Sequence, residues 1–289
     1  MSKDLELFMI NGEEVSVSDV GENLFSSALF YGTGCFETIR FEKDRILRFD
    51  DHMNRLQRGL NYLELPNHLL PEKEILFQKI SQIIDEGELN GEMAKIRVQC
   101  SLLENNGYHL DPNVQLLTHI RVNRYKKASH AIKLLTAKTR VIPSDSRPSD
   151  LKLSNMLHYR SAFREAVKQN YNEALMLTLD GHIAEASMAN IFWAIGNRVF
   201  TPSKDCSILP GIMRGVTIEL IKRSDNLTIE EGLFMPDSLL NADLVWLSNS
   251  VIELHPVQSI DNIGLKCNHM LLKKISSAIQ DHNRSNSNQ

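Results

Sequence analysis

A chain of 289 residues is long enough for two domains or one large one, and its 42% hydrophobic and 24% charged residues are those of an ordinary globular protein. A net charge of −4 excludes a global electrostatic pull toward nucleic acid or a membrane surface, and no apolar run approaches membrane-spanning length. Cys35, Cys100, Cys206 and Cys267 are scattered without a C-x-x-C pair, which argues against a zinc or redox site and suits free thiols in a reducing cytoplasm. The opening MSKDLELFMING carries acids among its apolar residues, unlike the basic-then-apolar pattern of a signal peptide.

Residues 7–17 alternate as a hairpin around Asn11-Gly12. Ser18-Asp19 suits the cap of a helix ending near Tyr31. Residues 35–41 alternate like a strand, 42–44 turn and 45–49 return. Asp50 or Asp51 caps a helix to Tyr62 with Met53, Leu56 and Leu60 on one face. Residues 71–87 form a second amphipathic helix, with Ile75, Ile80, Ile83 and Ile84 as its stripe. Strands at 93–102 and 114–122 complete an α+β domain over 1–122, and 123–130 is a basic, polar interdomain linker.

The second domain, 131–289, opens with a strand at 131–138 and a Pro/Ser loop at 143–150. Ser154 or Asn155 caps a helix to Gln169, and short strands follow at 173–179, 190–195 and 198–201, with Asp180-Gly181 as a hairpin turn. A helix at 211–223, an apolar strand at 244–248 and a helix at 268–279 precede a polar, frayed tail after Gln280. Many short strands with few helices predict a barrel-like second domain.

Several residues could carry chemistry. Lys152 lies between Leu151 and Leu153, and burial among apolar neighbours lowers an amine's pKa and favours Schiff-base formation. Glu185 reads either as a solvated edge-strand acid or, if buried and paired, as a carboxylate that keeps a pyridine nitrogen protonated. Gly211-Ile212-Met213 opens a helix whose unpaired N–H groups suit a phosphate. Ser248-Asn249-Ser250 ends an apolar strand with donors for the same anion, and Arg55 offers a guanidinium fork from a helix. Arg40 and Arg97 stand inside the apolar strands CFETIR and KIRVQC, where a buried arginine needs either a substrate carboxylate or a structural acid. An amine, an acid and a phosphate cradle are what a pyridoxal 5'-phosphate (PLP) site requires.

The order of these residues carries a resemblance. Glu185-x-Ser187-x-x-Asn190-Ile191-Phe192, Val199-x-Thr201 and Leu209-x-Gly211-Ile212-x-Arg214 match the signature of class IV PLP-dependent aminotransferases without a mismatch. Tyr31-Gly32-x-Gly34-x-Phe36-Glu37-x-x-Arg40 and Asp51-His52-Met53-x-Arg55-Leu56 resemble the N-terminal blocks of the branched-chain enzymes, and Asn249-Ser250 with Pro256-Val257 resemble their C-terminal loop. The resemblance implies a two-domain fold type IV enzyme, a cofactor in the interdomain cleft, and a homodimer with the partner's loop near the active site. It implies that Lys152 is the Schiff-base lysine and Glu185 the partner of the pyridine nitrogen. Arg55, the backbone of Ile212 and Met213, and Ser250 become phosphate ligands. Arg97 becomes a substrate-side arginine, with Tyr31, Phe36 and Arg40 as pocket wall.

The chain departs from the branched-chain pattern after the lysine. Leu157 stands where those enzymes carry a tyrosine, and Lys152-x-x-Asn155-x-Leu157 resembles D-amino acid aminotransferases and 4-amino-4-deoxychorismate lyases. The expected activity is transfer of an amino group between a small, branched-chain-like amino acid and a 2-oxo acid. The alternative is 4-amino-4-deoxychorismate lyase chemistry, releasing pyruvate and 4-aminobenzoate. A PLP-binding protein without turnover is a third reading, against which intact Lys152 and Glu185 count.

Overall fold

The computed structural model of the chain describes residues 5–16, 26–104, 107–109, 111–127 and 131–285. Its contacts divide into two units, Met1–Lys126 with Leu151–Asn155, and Lys127–Asp150 with Met156–Gln289.

In the first unit, β1 (Leu5–Ile10) and β2 (Glu13–Val15) form the expected hairpin. Both turn residues have positive φ, 50° at Asn11 and 88° at Gly12, a backbone that Asn and Gly adopt with least strain and that matches strand twist. The expected start of a helix at Ser18 lies outside the described residues; among these, α1 (Ser27–Tyr31) begins after Ser26 in extended backbone and ends where expected. β3 (Gly34–Glu42) and the short β4 (Arg45–Ile46) follow. Then come α2 (Phe49–Tyr62), α3 (Lys73–Glu86), β5 (Met93–Leu103) and β6 (Gln115–Arg124). The six strands make an antiparallel sheet in the order β2-β1-β6-β5-β3-β4.

Local details correct the sequence reading. α2 starts at least two residues early, with Arg48 in the left-handed region as its N-cap, so Asp50 and Asp51 favour the helix dipole from the first turn instead of capping. α3 buries Leu76, Ile80, Ile83 and Ile84, while Ile75 is 40% exposed. Positions 76, 80, 83 and 84 share one helix face, and Ile75 lies off it. β6 runs through Arg124, into the expected linker, because Lys95 and Ala94 of β5 still pair with Asn123 and Arg124.

Alternation sorts the sheet into two faces. Cys35, Ile39, Ile96, Val98, Ile120 and Val122 point inward and share a core with Met53, Leu56, Leu60, Leu76 and Ile80 of α2 and α3. Leu151 and Leu153 join this core, although the sequence reading placed them with the second half. Their segment runs along β3: Phe36 N–H donates to the Lys152 carbonyl at 3.0 Å, and Ser154 N–H donates to the Gly34 carbonyl at 2.8 Å. Ser154 and Asn155 are therefore not helix caps, and the next helix starts only at Leu157.

The second unit contains β7 (Ile132–Thr136), α4 (Leu157–Lys168), β8 (Glu173–Leu177), β9 (Ile183–Ala186) and β10 (Asn190–Ile195). It continues with β11 (Arg198–Pro202), α5 (Ile212–Lys222), β12 (Thr228–Gly232) and β13 (Leu244–Asn249). β14 (Glu253–Ile260), β15 (Ile263–Gly264) and α6 (His269–Ser285) end it. The sheet order is β12-β11-β10-β13-β14-β7-β8-β9, and an Ala186–Ala189 bridge brings β9 back beside β10, so the sheet curls on itself as a barrel-like structure. β9, β12, β14 and β15 were not expected. β14 hides its nature behind Pro256, since proline inside an apolar run argues against a central strand. α6 continues to Ser285, past the expected fraying point at Gln280. One face of the sheet packs Phe192, Trp246 and Leu254 against Met213 and Val216 of α5 and Leu271 and Ile275 of α6. No helix among the described residues is long and apolar enough to cross a membrane.

Glu173 is buried at the start of β8, accepting from Ala174 N–H at 2.7 Å and from the Ser187 hydroxyl. Burial pushes its pKa up from 4.5 to about 7, because its donors are neutral and only partly offset the lost hydration. Between these values the folded chain binds more protons than the unfolded one, so this carboxyl's contribution to stability declines as pH rises through that window. Glu173→Gln is expected to flatten that decline, as read from urea melts on either side of the window. Separately, Leu76→Ala should cost about 2–5 kcal/mol of unfolding free energy. Ile75→Ala should cost less than about 1 kcal/mol in the same denaturant titration.

Candidate active site

Lys152 is positioned by main chain. Its neighbours Leu151 and Leu153 are drawn into the core of the first unit, so alternation turns the lysine to the other side. There its Nζ lies 4.6 Å from the centroid of the Phe36 ring. The Arg97 guanidinium stacks over the same ring at 3.9 Å. Arg97 is half-buried, donates from Nη2 to Gln99 Oε1 at 2.8 Å, and has no acidic partner among the described residues. Burial lowers its pKa. Gln99 in turn donates to the Ser154 hydroxyl at 2.8 Å, tying the Arg97 strand to the lysine segment.

The two strand arginines divide between the alternatives open to them. Arg40 meets a structural acid, Glu42, at 2.7 Å, whereas Arg97 does not. Tyr31 is exposed at the end of α1, with its ring 5.1 Å from that of Tyr108. Arg55 was expected to offer a free fork. Instead its Nε and Nη2 donate to Oε1 and Oε2 of buried Glu37 at 2.6 and 2.8 Å, and Nη1 has no partner among the described residues.

In the second unit Glu185 is buried in β9. Its Oε1 accepts from the Tyr159 hydroxyl at 2.5 Å and from Leu209 N–H at 3.0 Å, and its Oε2 accepts from Asn190 Nδ2 at 3.1 Å. Donors of this kind stabilise a carboxylate in a dry site. Burial first, and then the Glu185 charge, raise the Tyr159 pKa well above its usual value, so the tyrosine keeps its proton and acts as donor. Tyr159 was not expected, and no motif marks it, because the packing of α4 against the sheet and not a spacing brings it to Glu185.

Asn190 joins Glu185 to the start of α5. Its Nδ2 also donates to the Leu209 carbonyl at 2.8 Å, and its Oδ1 accepts from Gly211 N–H at 3.2 Å. A Cβ at position 211 would stand 2.3 Å from that Oδ1, so glycine is required there by space. Gly211 is the N-cap of α5, and the N–H groups of Ile212 and Met213 have no intrahelical acceptors. Ser248 pairs with Asn190 across β13 and β10, and its buried hydroxyl has no partner among the described residues. Ser250 follows, half-buried, in a turn shaped by Asn249 Oδ1, which accepts from the N–H groups of Val251 and Ile252 at 2.9 Å each. A helix N-terminus cleared of a side chain, beside an unsatisfied hydroxyl, fits a phosphate. Among the described residues no His, Cys, Asp and Glu group could hold a metal ion.

Comparison with known proteins shows likeness along most of the chain. The family described as amino-transferase class IV matches residues 34–260. An aminodeoxychorismate lyase of Bacillus subtilis (strain 168) is 28% identical over 263 residues, covering 89% of this chain and 88% of that protein. A branched-chain amino acid aminotransferase from Escherichia coli shares the fold at a TM-score of 0.84 and 26% identity, with 95% of this chain and 93% of that one covered. A branched-chain aminotransferase from the thermophilic archaeon Thermoproteus uzoniensis, solved with norvaline, shares the fold at a TM-score of 0.84 and 22% identity, with 96% and 94% covered. The matched family spans most of the sequence, and the chain belongs to the class IV aminotransferases, a PLP-dependent enzyme family of fold type IV.

Proposed function

We propose that this protein is a PLP-dependent aminotransferase that moves an amino group between a small, branched-chain-like amino acid and a 2-oxo acid. The observation that carries the reading is the placement of Lys152 and Arg97 on one aromatic ring, Phe36. An amine for the chemistry and a guanidinium with no acidic partner among the described residues are thereby neighbours, and the guanidinium suits a substrate carboxylate.

Each residue takes a role under this reading. When bound, PLP supplies an electron-accepting pyridine ring joined to the reacting carbon. Lys152 is the amine that takes the proton from the substrate's Cα and returns it. Glu185 holds a proton at the ring nitrogen, and Tyr159, Asn190 and Leu209 N–H keep its carboxylate oriented. Ile212 and Met213 N–H, Ser250 and Arg55 Nη1 bind phosphate, with the Ser248 hydroxyl a further donor. Arg97 binds the substrate carboxylate, with Phe36, Arg40 and Tyr31 as pocket wall. The protein works as a homodimer, and in a reducing cytoplasm; the four unpaired cysteines support the compartment.

A second reading is supported by Lys152-x-x-Asn155-x-Leu157 and by the Bacillus subtilis relative. In 4-amino-4-deoxychorismate lyase chemistry the same proton removal is followed by loss of pyruvate, leaving 4-aminobenzoate. The two separate in one experiment. Stoichiometric holoenzyme is mixed with leucine, glutamate, alanine or a D-amino acid, and then with 4-amino-4-deoxychorismate. Conversion of the cofactor to its amine form by leucine or glutamate is expected, without pyruvate release. Pyruvate release without that conversion would establish the lyase, and neither signal would leave a binding protein. Lys152→Ala should abolish whichever turnover is found and alter the visible spectrum. Gly211→Ala should weaken PLP binding about tenfold or more in an absorbance titration of apoenzyme.

A further inference from the structure

Glu37 lies on the inward face of β3, between Cys35 and Ile39, in an otherwise apolar core. Its side chain is 0% exposed, which is sustainable for a carboxylate only with close partners. α2 supplies both of them. Arg55 takes the two carboxylate oxygens with Nε and Nη2, and His52 Nδ1 lies 2.6 Å from Oε2. Burial opposes the charge, but the Arg55 guanidinium and then His52 outweigh it and hold the Glu37 pKa at about 2. Burial also lowers the His52 pKa. A neutral imidazole beside an ionised carboxylate must carry its hydrogen on Nδ1, so His52 donates.

This leaves one group unexplained. Arg55 Nη1 is buried and has no hydrogen-bond partner among the described residues, and an unsatisfied buried donor on a cation is costly. The clamp directs that donor: with Nε and Nη2 fixed to one planar carboxylate, the plane of the guanidinium and the direction of Nη1 are set. We propose that Glu37, braced by His52, is the positioning residue of Arg55, aiming Nη1 at the cofactor phosphate as a single directional donor while neutralising the guanidinium charge. The proposal rests on the reading of Arg55 as a phosphate ligand. It runs against the simple electrostatic expectation, in which removing Glu37 would leave Arg55 a stronger anion binder.

The test titrates full-length apoenzyme with PLP and, in a separate arm, with pyridoxal, which lacks the phosphate. Glu37→Gln is expected to weaken PLP binding about tenfold or more while changing pyridoxal binding less than about twofold. Its PLP affinity should also become more sensitive to salt, because an unneutralised guanidinium attracts the phosphate by charge. Unchanged or tighter PLP binding would overturn the proposal, and equal loss of both ligands would reduce Glu37 to a structural role. If Glu37→Gln does not fold, His52→Asn keeps the Glu37–Arg55 pair and should still lower PLP affinity selectively, by about threefold; no selective loss overturns the proposal. Arg55→Met, which lacks both the charge and the donors, separates the two levels. A preserved preference for PLP over pyridoxal would remove Arg55 from phosphate binding and the proposal with it. A lost preference in Arg55→Met but not in Glu37→Gln would sink only the role of Glu37.

Discussion

Lys152 is held by backbone hydrogen bonds to β3 and by the burial of its two leucine neighbours. Phe36 N–H and Ser154 N–H fix the register of Leu151–Asn155 against Gly34–Phe36, and in an extended segment a shift of one residue would exchange buried and outward side chains. The Leu-Lys-Leu pattern makes that slip expensive, since it would drive the ammonium into the core. The same strand supplies Phe36 on one face, under the lysine and Arg97, and Glu37 on the other, gripping Arg55. Much of the chemistry on the first unit thus depends on the register of β3.

Three buried glutamates show how differently one side chain behaves according to its company. Glu37 meets a guanidinium and an imidazole and stays ionised. Glu173 meets neutral donors, and burial raises it toward neutrality. Glu185 receives neutral donors on both oxygens, one of them a tyrosine that cannot readily ionise beside it. These three bonds orient the carboxyl, as its proposed place beside a ring nitrogen requires.

Asn190 shows how a short motif stores tertiary information. Its side chain bonds Glu185, the Leu209 carbonyl and Gly211 N–H, so the acid and the helix N-terminus are held by one amide. The spacing from Glu185 to Asn190 to Gly211 is visible in the sequence, and the reason for it is visible only in these bonds.

The sequence by itself determined the local and periodic features: the Asn11-Gly12 hairpin, the amphipathic helices at 49–62 and 73–86 but for the exchange of Ile75 for Leu76, and the ordered signature around Glu185. These depend on a few adjacent residues and on face periodicity. Tertiary structure alone decided matters that depend on distant partners. It took the Leu151–Asn155 segment into the first unit, filled two thirds of the Arg55 fork with Glu37, gave Arg40 an acid and Arg97 none among the described residues, and brought Tyr159 onto Glu185. Each is a choice of partner for a polar group. Only packing decides that choice, because burial makes an unpaired donor or charge costly wherever in the chain its partner happens to lie.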